Sequence, residues 1–120
     1  PNAGVELSKT MGISLIRVAA PFNEGHGRFE LNSKKQYELE TFSLDAISLI
    51  ELIAPNYRVS VRCEMPTGRY DYHIDCKQFP SENPIMQRLA IQQASFKEIQ
   101  SAFKIKINMD IAKRKIVVSD

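Results

Sequence analysis

The stretch that decides the fold runs from Phe42 to Cys76 and reads FSLDAISLIELIAPNYRVSVRCEMPTGRYDYHIDC. It predicts a short amphipathic helix and then two strands joined by the turn Met65–Gly68, because proline suits the second position of a type I turn and glycine the fourth. An antiparallel hairpin about this turn would sort the strand residues by type onto two faces. One face would carry the pairs Glu64–Arg69, Arg62–Asp71, Ser60–His73 and Arg58–Asp75. The other would set Tyr57, Val59, Val61 and Cys63 against Tyr70, Tyr72, Ile74 and Cys76. A slip of one residue would mix the two classes, so the pattern predicts this register.

The helix before the hairpin is expected to use Ser43 as its N-cap, with Asp45 in the first turn, where a carboxylate meets the positive end of the helix dipole. Pro55 marks its end. Its buried side is predicted to consist of Leu44, Ile47, Leu49, Ile50 and Ile53.

The residues before Phe42 predict mainly strands. Gly12–Ala20 carries alternating apolar residues, and Asn23–Gly27 reads as a loop containing His26 because of its two glycines. Phe29–Leu31 and Tyr37–Thr41 predict a second hairpin.

The last third of the chain predicts a helix and a hairpin. Asn83 is expected to cap a helix whose first residue is Pro84. The capping-box pattern Ser95–Glu98 leaves two alternatives open, one kinked helix or two helices with a break near Ala94.

After this helix, residues 104–109 predict a strand, Asp110–Arg114 a turn, and Ile116–Val118 the last strand. The terminal position of Ile116–Val118 predicts an exposed sheet edge to which a partner could add a strand.

These elements predict a single α+β domain over residues 1–120. Its parts would be a strand-rich part at 12–41, a helix plus hairpin at 42–79, and a helix plus C-terminal hairpin at 80–120. We therefore expect a helix–hairpin unit repeated twice and an antiparallel sheet with two or three helices on one face.

Composition excludes few classes of function. The formal charge of +2 and the pI near 8.7 neither require nor exclude an anionic partner. No apolar run approaches the roughly 18 residues that a membrane span needs. The chain opens at Pro1 without an initiator methionine, which suggests an excised domain or a processed form.

The two cysteines are expected to be free. In the predicted hairpin Cys63 and Cys76 lie about 20 Å apart along the sheet, well beyond the roughly 7 Å that a disulfide allows between alpha carbons. We predict two half-buried thiols, which weakly favours a reducing compartment.

No catalytic, cofactor-binding or metal-binding residue is predicted. Asp71, His73 and Asp75 share one strand face, but residues two apart on a strand are separated by about 6.6 Å, which is too far for three neighbours to converge easily on one ion. Their predicted partners Arg58 and Arg62 would also repel a cation. Because His73 and the cysteines point to opposite faces, no Cys–His couple forms within this hairpin. His26 could approach from its loop, but nothing in the sequence requires it, and we expect a protein that is not an enzyme.

One group of cations suggests an anion-binding site. Five lie on the C-terminal hairpin, where they would meet phosphates of nucleic acid or of lipid headgroups: Lys104, Lys106, Lys113, Arg114 and Lys115. Lysines on a sheet edge also prevent aggregation between sheets, which is the alternative interpretation.

Two motifs carry a resemblance to a known family. Ser43-Leu44-Asp45 opens a leucine-rich helix, and Tyr70-Asp71-Tyr72 lies on a following strand. Together they resemble the uncharacterised soil-associated family of bacterial envelope proteins, in which a later helix leads into a C-terminal hairpin with a valine-rich last strand, as Phe96–Asp120 does here. More loosely, the plan is similar to the short N-terminal domain of secretins and TonB-dependent receptors. The likeness covers roughly Glu38–Asp120.

The resemblance implies location in the bacterial envelope or periplasm and a role in assembly or interaction with a protein partner, and it supplies no catalytic residues. A cytoplasmic protein is the alternative. Our first hypothesis is therefore a non-catalytic interaction or assembly module of a bacterial envelope protein, and our second is a small anion- or nucleic-acid-binding domain that uses the basic hairpin. The sequence leaves the partner and the oligomeric state open.

Overall fold

A computed structural model describes residues 4–10, 12–19, 24–80 and 82–120. Within them the chain forms eight strands, two α-helices and a single 3-10 turn at Cys76–Gln78. The strands are β1 (Gly4–Thr10), β2 (Ile13–Val18), β3 (His26–Leu31), β4 (Tyr37–Asp45), β5 (Arg58–Val61), β6 (Arg69–Ile74), β7 (Lys106–Asp110) and β8 (Lys115–Ser119), and the helices are α1 (Ala46–Ile53) and α2 (Pro84–Phe103). The predicted α+β class, with an antiparallel sheet, is confirmed.

The larger sheet has five antiparallel strands in the order β1-β2-β6-β4-β3. Its central strand is β6, in which Tyr72 lies opposite Leu15 of β2 and Thr41 of β4. Tyr70, Tyr72 and Ile74 alternate inward along β6 and are buried. The second predicted strand of the Phe42–Cys76 stretch thus forms the middle of the larger sheet.

The smaller sheet has three strands in the order β5-β8-β7. In it β5 runs parallel to β8, with Val61 opposite Val118, while β7 is antiparallel to β8, with Ile107 also opposite Val118. The last strand of the chain is therefore the middle strand of this sheet.

The predicted hairpin of residues 57–76 is wrong, because β5 and β6 belong to different sheets. The amide of Arg62 donates to the carbonyl of Val118 at 2.8 Å, and the carboxylate of Asp71 accepts from the amide of Ser43 at 2.9 Å. Exposed ion pairs contribute only a few tenths of a kcal/mol, whereas burying one large apolar side chain contributes about 1.5–3 kcal/mol. Burial of the β6 side chains between β2 and β4 therefore outweighs the charge pattern. The first of the two predicted helix–hairpin units is lost with the hairpin.

The start of α1 also differs from the prediction. Strand β4 continues to Asp45, which is the N-cap, and its carboxylate accepts from the amide of Ser48 at 3.4 Å. Ser43, the predicted cap, lies at a bulge of β4 with a φ of 55°. Ile47, predicted to be buried, is 37% exposed, and the buried residues of the helix are Ala46, Leu49, Ile50 and Ile53.

Helix α2 settles the open alternative in favour of one uninterrupted helix of 20 residues. Asn83 caps it through a bond from the amide of Ile85 at 2.9 Å, with Pro84 as the first helical residue, as predicted. The Ser95–Glu98 pattern does not start a new helix, since Ser95 accepts a hydrogen bond from the Tyr72 hydroxyl and Glu98 accepts from Ser8.

The N-terminal third is predicted in part. The hairpin of β3 and β4 is confirmed, with Phe29 opposite Leu39, and β2 lies within the predicted strand Gly12–Ala20. His26, expected in a loop, is the first residue of β3. Strand β1 was not predicted. Asn23 and Ala20 lie outside the described residues.

One core joins these elements. It contains side chains of both sheets and both helices, among them Leu15, Ile50, Ile91, Ile99 and Val118. No helix in the described part of the chain is long and apolar enough to cross a membrane.

The buried hydrogen bond between the Tyr72 hydroxyl and Ser95, 2.7 Å long, links the larger sheet to α2. Removing one partner leaves the other hydroxyl buried and unpaired, so we expect Tyr72→Phe to lower the free energy of unfolding by about 1–2 kcal/mol. The double variant with Ser95→Ala should cost less than the two single changes added together, because no hydroxyl is then left unpaired. Urea unfolding measures both, with Tyr37→Phe at a half-buried ring as the control. Strict additivity would contradict a direct bond.

Candidate interaction surface

The structure divides the predicted anion-binding residues between the two ends of the C-terminal hairpin. All five are exposed. Lys106 begins β7 opposite Ser119, whereas Lys115 lies opposite Asp110, four residues or about 13 Å further along the strand. Lys104 is the left-handed C-cap of α2, and Lys113 and Arg114 lie in the turn between β7 and β8. These residues do not form a single cluster.

The outer face of the smaller sheet, which carries Lys106 and Lys115, also carries two arginines. Arg58 lies opposite Lys115, and the alternation along β5 places Arg62 on the same face. Sequence reasoning missed both arginines because it assigned them to Asp75 and Asp71. The side-chain alternation of β5 alone was the signal for them.

The open edges of the smaller sheet are β5 and β7, and the predicted edge at Ile116–Val118 is wrong because β8 pairs on both sides. Strand β7 is an edge strand instead. Its peptide groups point alternately toward β8 and away from it, so every second residue presents its N–H and C=O outward. The amide of Ile107 donates to the side-chain Oε1 of Gln100 on α2 at 2.7 Å, and not to β8. Ile107 and Met109 therefore direct their peptide groups away from β8, while Asn108 between them directs its own toward Val117.

A groove runs between this edge and α2. Its volume is about 160 Å³, and we name it the α2–β7 groove after its lining residues Gln93, Phe96, Lys97, Gln100, Ile107, Met109 and Ile111. Ile111, at the start of the hairpin turn, is 48% exposed. The groove thus places apolar side chains beside backbone groups that no neighbouring strand pairs, one of which is bonded to the Gln100 side chain.

A larger cleft of about 490 Å³ adjoins the groove at Ile111. It lies between the first half of α2, the residues after α1 and the hairpin turn, and its lining includes Tyr57, Leu89, Arg88 and Arg114. Ile85 at its rim is 76% exposed. An exposed apolar surface edged by arginines is typical of protein interaction sites.

The cysteines are free, as predicted, but they lie in different parts of the fold from those expected. Cys76 is buried at the end of the larger sheet, and Cys63 is half-buried after β5. Burial raises the pKa of the Cys76 thiol to about 11, with Asp75 and Glu38 adding to the shift. Desolvation and the charge of Asp120 also raise the pKa of Cys63. Both thiols are therefore held in the protonated, weakly nucleophilic form at neutral pH.

Both aspartates of the Asp71, His73 and Asp75 row accept hydrogen bonds from backbone amides of the protein itself. Asp71 accepts from the Ser43 amide, and Asp75 caps the 3-10 turn through the amide of Lys77 at 3.1 Å. Arg28, not Arg62, makes the ion pairs on this face of the sheet, with Glu38 at 2.9 Å and Glu40 at 3.3 Å. Within the described residues no three histidine, cysteine or acidic side chains are grouped to hold a metal.

Comparisons with models of protein families, with curated proteins and with solved structures found no match.

The pKa of Cys76 has a direct consequence for its reactivity. At pH 8 a thiol with a pKa of about 11 should react with iodoacetamide roughly 100-fold more slowly than one with a pKa of 9, because the thiolate is the reactive form. We expect Cys63 to be alkylated first and the rate at Cys76 to keep rising up to about pH 11, as peptide mass spectrometry with time will show. Faster alkylation of Cys76 than of Cys63 would contradict the described burial.

Proposed function

We propose that this chain is a non-catalytic interaction module that binds an extended segment of a protein partner along the open edge of β7. The proposal rests on the outward peptide groups of Ile107 and Met109, which lie beside the partly apolar α2–β7 groove. A strand added to an edge gains affinity from main-chain hydrogen bonds and specificity from alternate side chains that enter neighbouring pockets.

The groove gives such a segment two different surfaces. Side chains facing inward would meet Phe96 and Ile111, and those facing outward would lie near Lys106 and Asp110. A segment with apolar residues at every second position therefore fits best. The larger cleft beyond Ile111 extends the contact toward Arg88 and Arg114, which favours an acidic residue at that end.

Two further points support an interaction module over an enzyme. Burial raises the pKa of both thiols, which works against nucleophilic chemistry, and the carboxylates of Asp71 and Asp75 accept backbone amides within the fold. The envelope location is part of the proposal and rests on the resemblance alone. Fractionation of the source cells, with antibody detection of the full-length protein, tests it, and a purely cytoplasmic signal would reject it.

The edge of β7 is tested by removing one amide without changing the ladder to β8. Met109→Pro deletes an N–H that points outward, and proline is tolerated at such a position of an edge strand. Met109→Leu is the matched control, since it keeps the amide and a similar side chain. We expect a random heptapeptide phage library to yield peptides that bind the wild type and Met109→Leu at least 10-fold more tightly than Met109→Pro.

Peptides that bind all three variants equally, or no enrichment on the wild type, would contradict binding at this edge. Backbone amide shifts of β7 residues on adding a selected peptide, followed by NMR, locate the contact independently of the variants.

A second candidate function is anion binding by the outer face of the smaller sheet. The observation in its favour is that Arg58, Arg62, Lys106 and Lys115 share this face, with Asp110 at one corner. Such a face would attract phosphates through charge alone, because base stacking needs exposed aromatic rings and the outward positions of its strands hold none.

Electrophoretic mobility of a single-stranded 20-nucleotide DNA tests this candidate. Binding that weakens steeply with salt, and is lost on Arg58→Glu with Lys115→Glu or on Lys113→Glu with Lys115→Glu, is the expected result for it. Lys34→Glu with Lys35→Glu, in the turn between β3 and β4 of the larger sheet, makes the same change of charge off the outer face of the smaller sheet and should have little effect. Unchanged mobility of the DNA at low salt would reject anion binding.

A further inference from the structure

We infer that the segment that pairs with β7 is β7 of a second copy of this chain, in a two-fold antiparallel arrangement centred on Asn108. This inference rests on the proposed function, because it names the partner of the same edge. It would join the two smaller sheets into one continuous sheet through the only strand edge that adjoins the α2–β7 groove in the described part of the chain.

The sequence of β7 is symmetric in chemical type about its centre. It reads Lys106-Ile107-Asn108-Met109-Asp110, a cation, an apolar residue, an amide, an apolar residue and an anion. A two-fold axis at Asn108 sets each Lys106 opposite Asp110 of the partner subunit. Such an isologous contact needs a self-complementary surface, and this pattern provides one.

Backbone geometry restricts the register. Outward peptide groups must face outward peptide groups, so Ile107 and Met109 can lie opposite only each other or themselves. Placing Ile107 opposite the partner's Ile107 would set Asp110 opposite Lys104 of the partner subunit. The backbone of Lys104 is left-handed and lies outside the strand, so fewer residues of β7 would pair. Placing Met109 opposite the partner's Met109 would set Lys106 against Ala112 of the partner subunit, in the turn.

Only the register that pairs Ile107 with the partner's Met109 overlaps all five residues of β7. It is also the one that pairs both charges with opposite charges. Opposite charges directly across a ladder stabilise the pairing, and like charges oppose it, so this register is the one that the side chains select.

The side chain of Gln100 competes with this pairing. Its Oε1 accepts from the Ile107 amide at 2.7 Å, which is the position that the carbonyl of the partner's Met109 would take. Gln100 therefore covers the edge in the single chain and must move when the strands pair. Removing the Gln100 side chain should therefore favour association, whereas removing a side chain that contacts the partner would weaken it.

Asp110 already faces positive charge in the single chain. It lies opposite Lys115, and its carboxylate accepts from the Lys113 amide at 3.0 Å. Lys106 of the partner subunit would join this group from the other side. Because Asp110 shapes the turn, its variants are read together with those of Lys106, for which no hydrogen bond or ion pair of the side chain is described.

Sedimentation equilibrium of the whole chain over roughly 10 µM to 1 mM tests the inference. A contact made by one five-residue strand of each chain is expected to bury less than the roughly 1,200 Å² of a standard interface and therefore to be weak. We expect a reversible dimer of the wild type. Lys106→Asp alone and Asp110→Lys alone should each weaken it at least 10-fold. An equimolar mixture of the two should form a heterodimer, because each then meets its opposite charge.

Two controls complete the experiment. Lys104→Asp makes the same charge reversal just outside the paired strand and should leave the dimer within about 3-fold of the wild type, since an exposed charge that is not paired contributes little. Gln100→Ala should strengthen association by 3-fold or more. Because Gln100 lies on α2 and not in the turn, this result does not depend on whether Asp110→Lys disturbs the turn.

A wild type that stays monomeric at 1 mM, single variants that associate as the wild type does, or a mixture without heterodimer would overturn the inference. If the chain is monomeric while selected peptides still distinguish Met109→Pro from Met109→Leu, then self-pairing fails and the proposed function stands. If those peptides bind both variants equally, the proposed function itself fails.

Discussion

The structure depends on the burial of β6 between β2 and β4. Tyr70, Tyr72 and Ile74 point into the core from the middle of a five-stranded sheet, and the Tyr72 hydroxyl is satisfied by Ser95 of α2. A strand hydrogen-bonded on both sides has no edge left for β5. The chain between Val61 and Arg69 must therefore pass from one sheet to the other, and β5 pairs with the last strand instead.

The pairing of β5 with β8 leaves β7 as the open edge of the smaller sheet beside α2, which is the surface of the proposed interaction. Because β5 occupies one side of β8, β7 occupies the other, and the edge of the smaller sheet that adjoins α2 is a strand with apolar and charged residues in symmetric order. The side chain of Gln100 satisfies one outward amide of that edge. A side-chain amide is easier to displace than a strand, so under the proposed function Gln100 would protect the edge in the free chain and give way when a segment pairs with it.

The sequence patterns correctly predicted the cap of α2 and two of the hairpins, which depend on residues close together in the chain. The Asn83 cap, Pro84, the β3–β4 hairpin and the C-terminal hairpin all involve residues near one another in the chain. The pairing of β6 with β2 and of β5 with β8 spans more than 50 residues, and no local pattern encodes it. The alternating charges of residues 58–75 suggested a hairpin, but each exposed pair is worth too little to compete with burial. The thiols are free as predicted, although the hairpin on which that prediction rests does not form. The predicted edge at β8 is wrong because the last strand of a chain need not be the edge of its sheet.

Amide hydrogen exchange along β8, followed by NMR at low protein concentration, tests whether β8 lies between β5 and β7. In the parallel ladder the amides of Ile116 and Val118 bond to β5, and that of Val117 bonds to β7. We expect slow exchange at all three, with fast exchange at Met109 on the open edge. Exchange at Ile116 and Val118 as fast as at Met109 would show that β5 does not pair with β8.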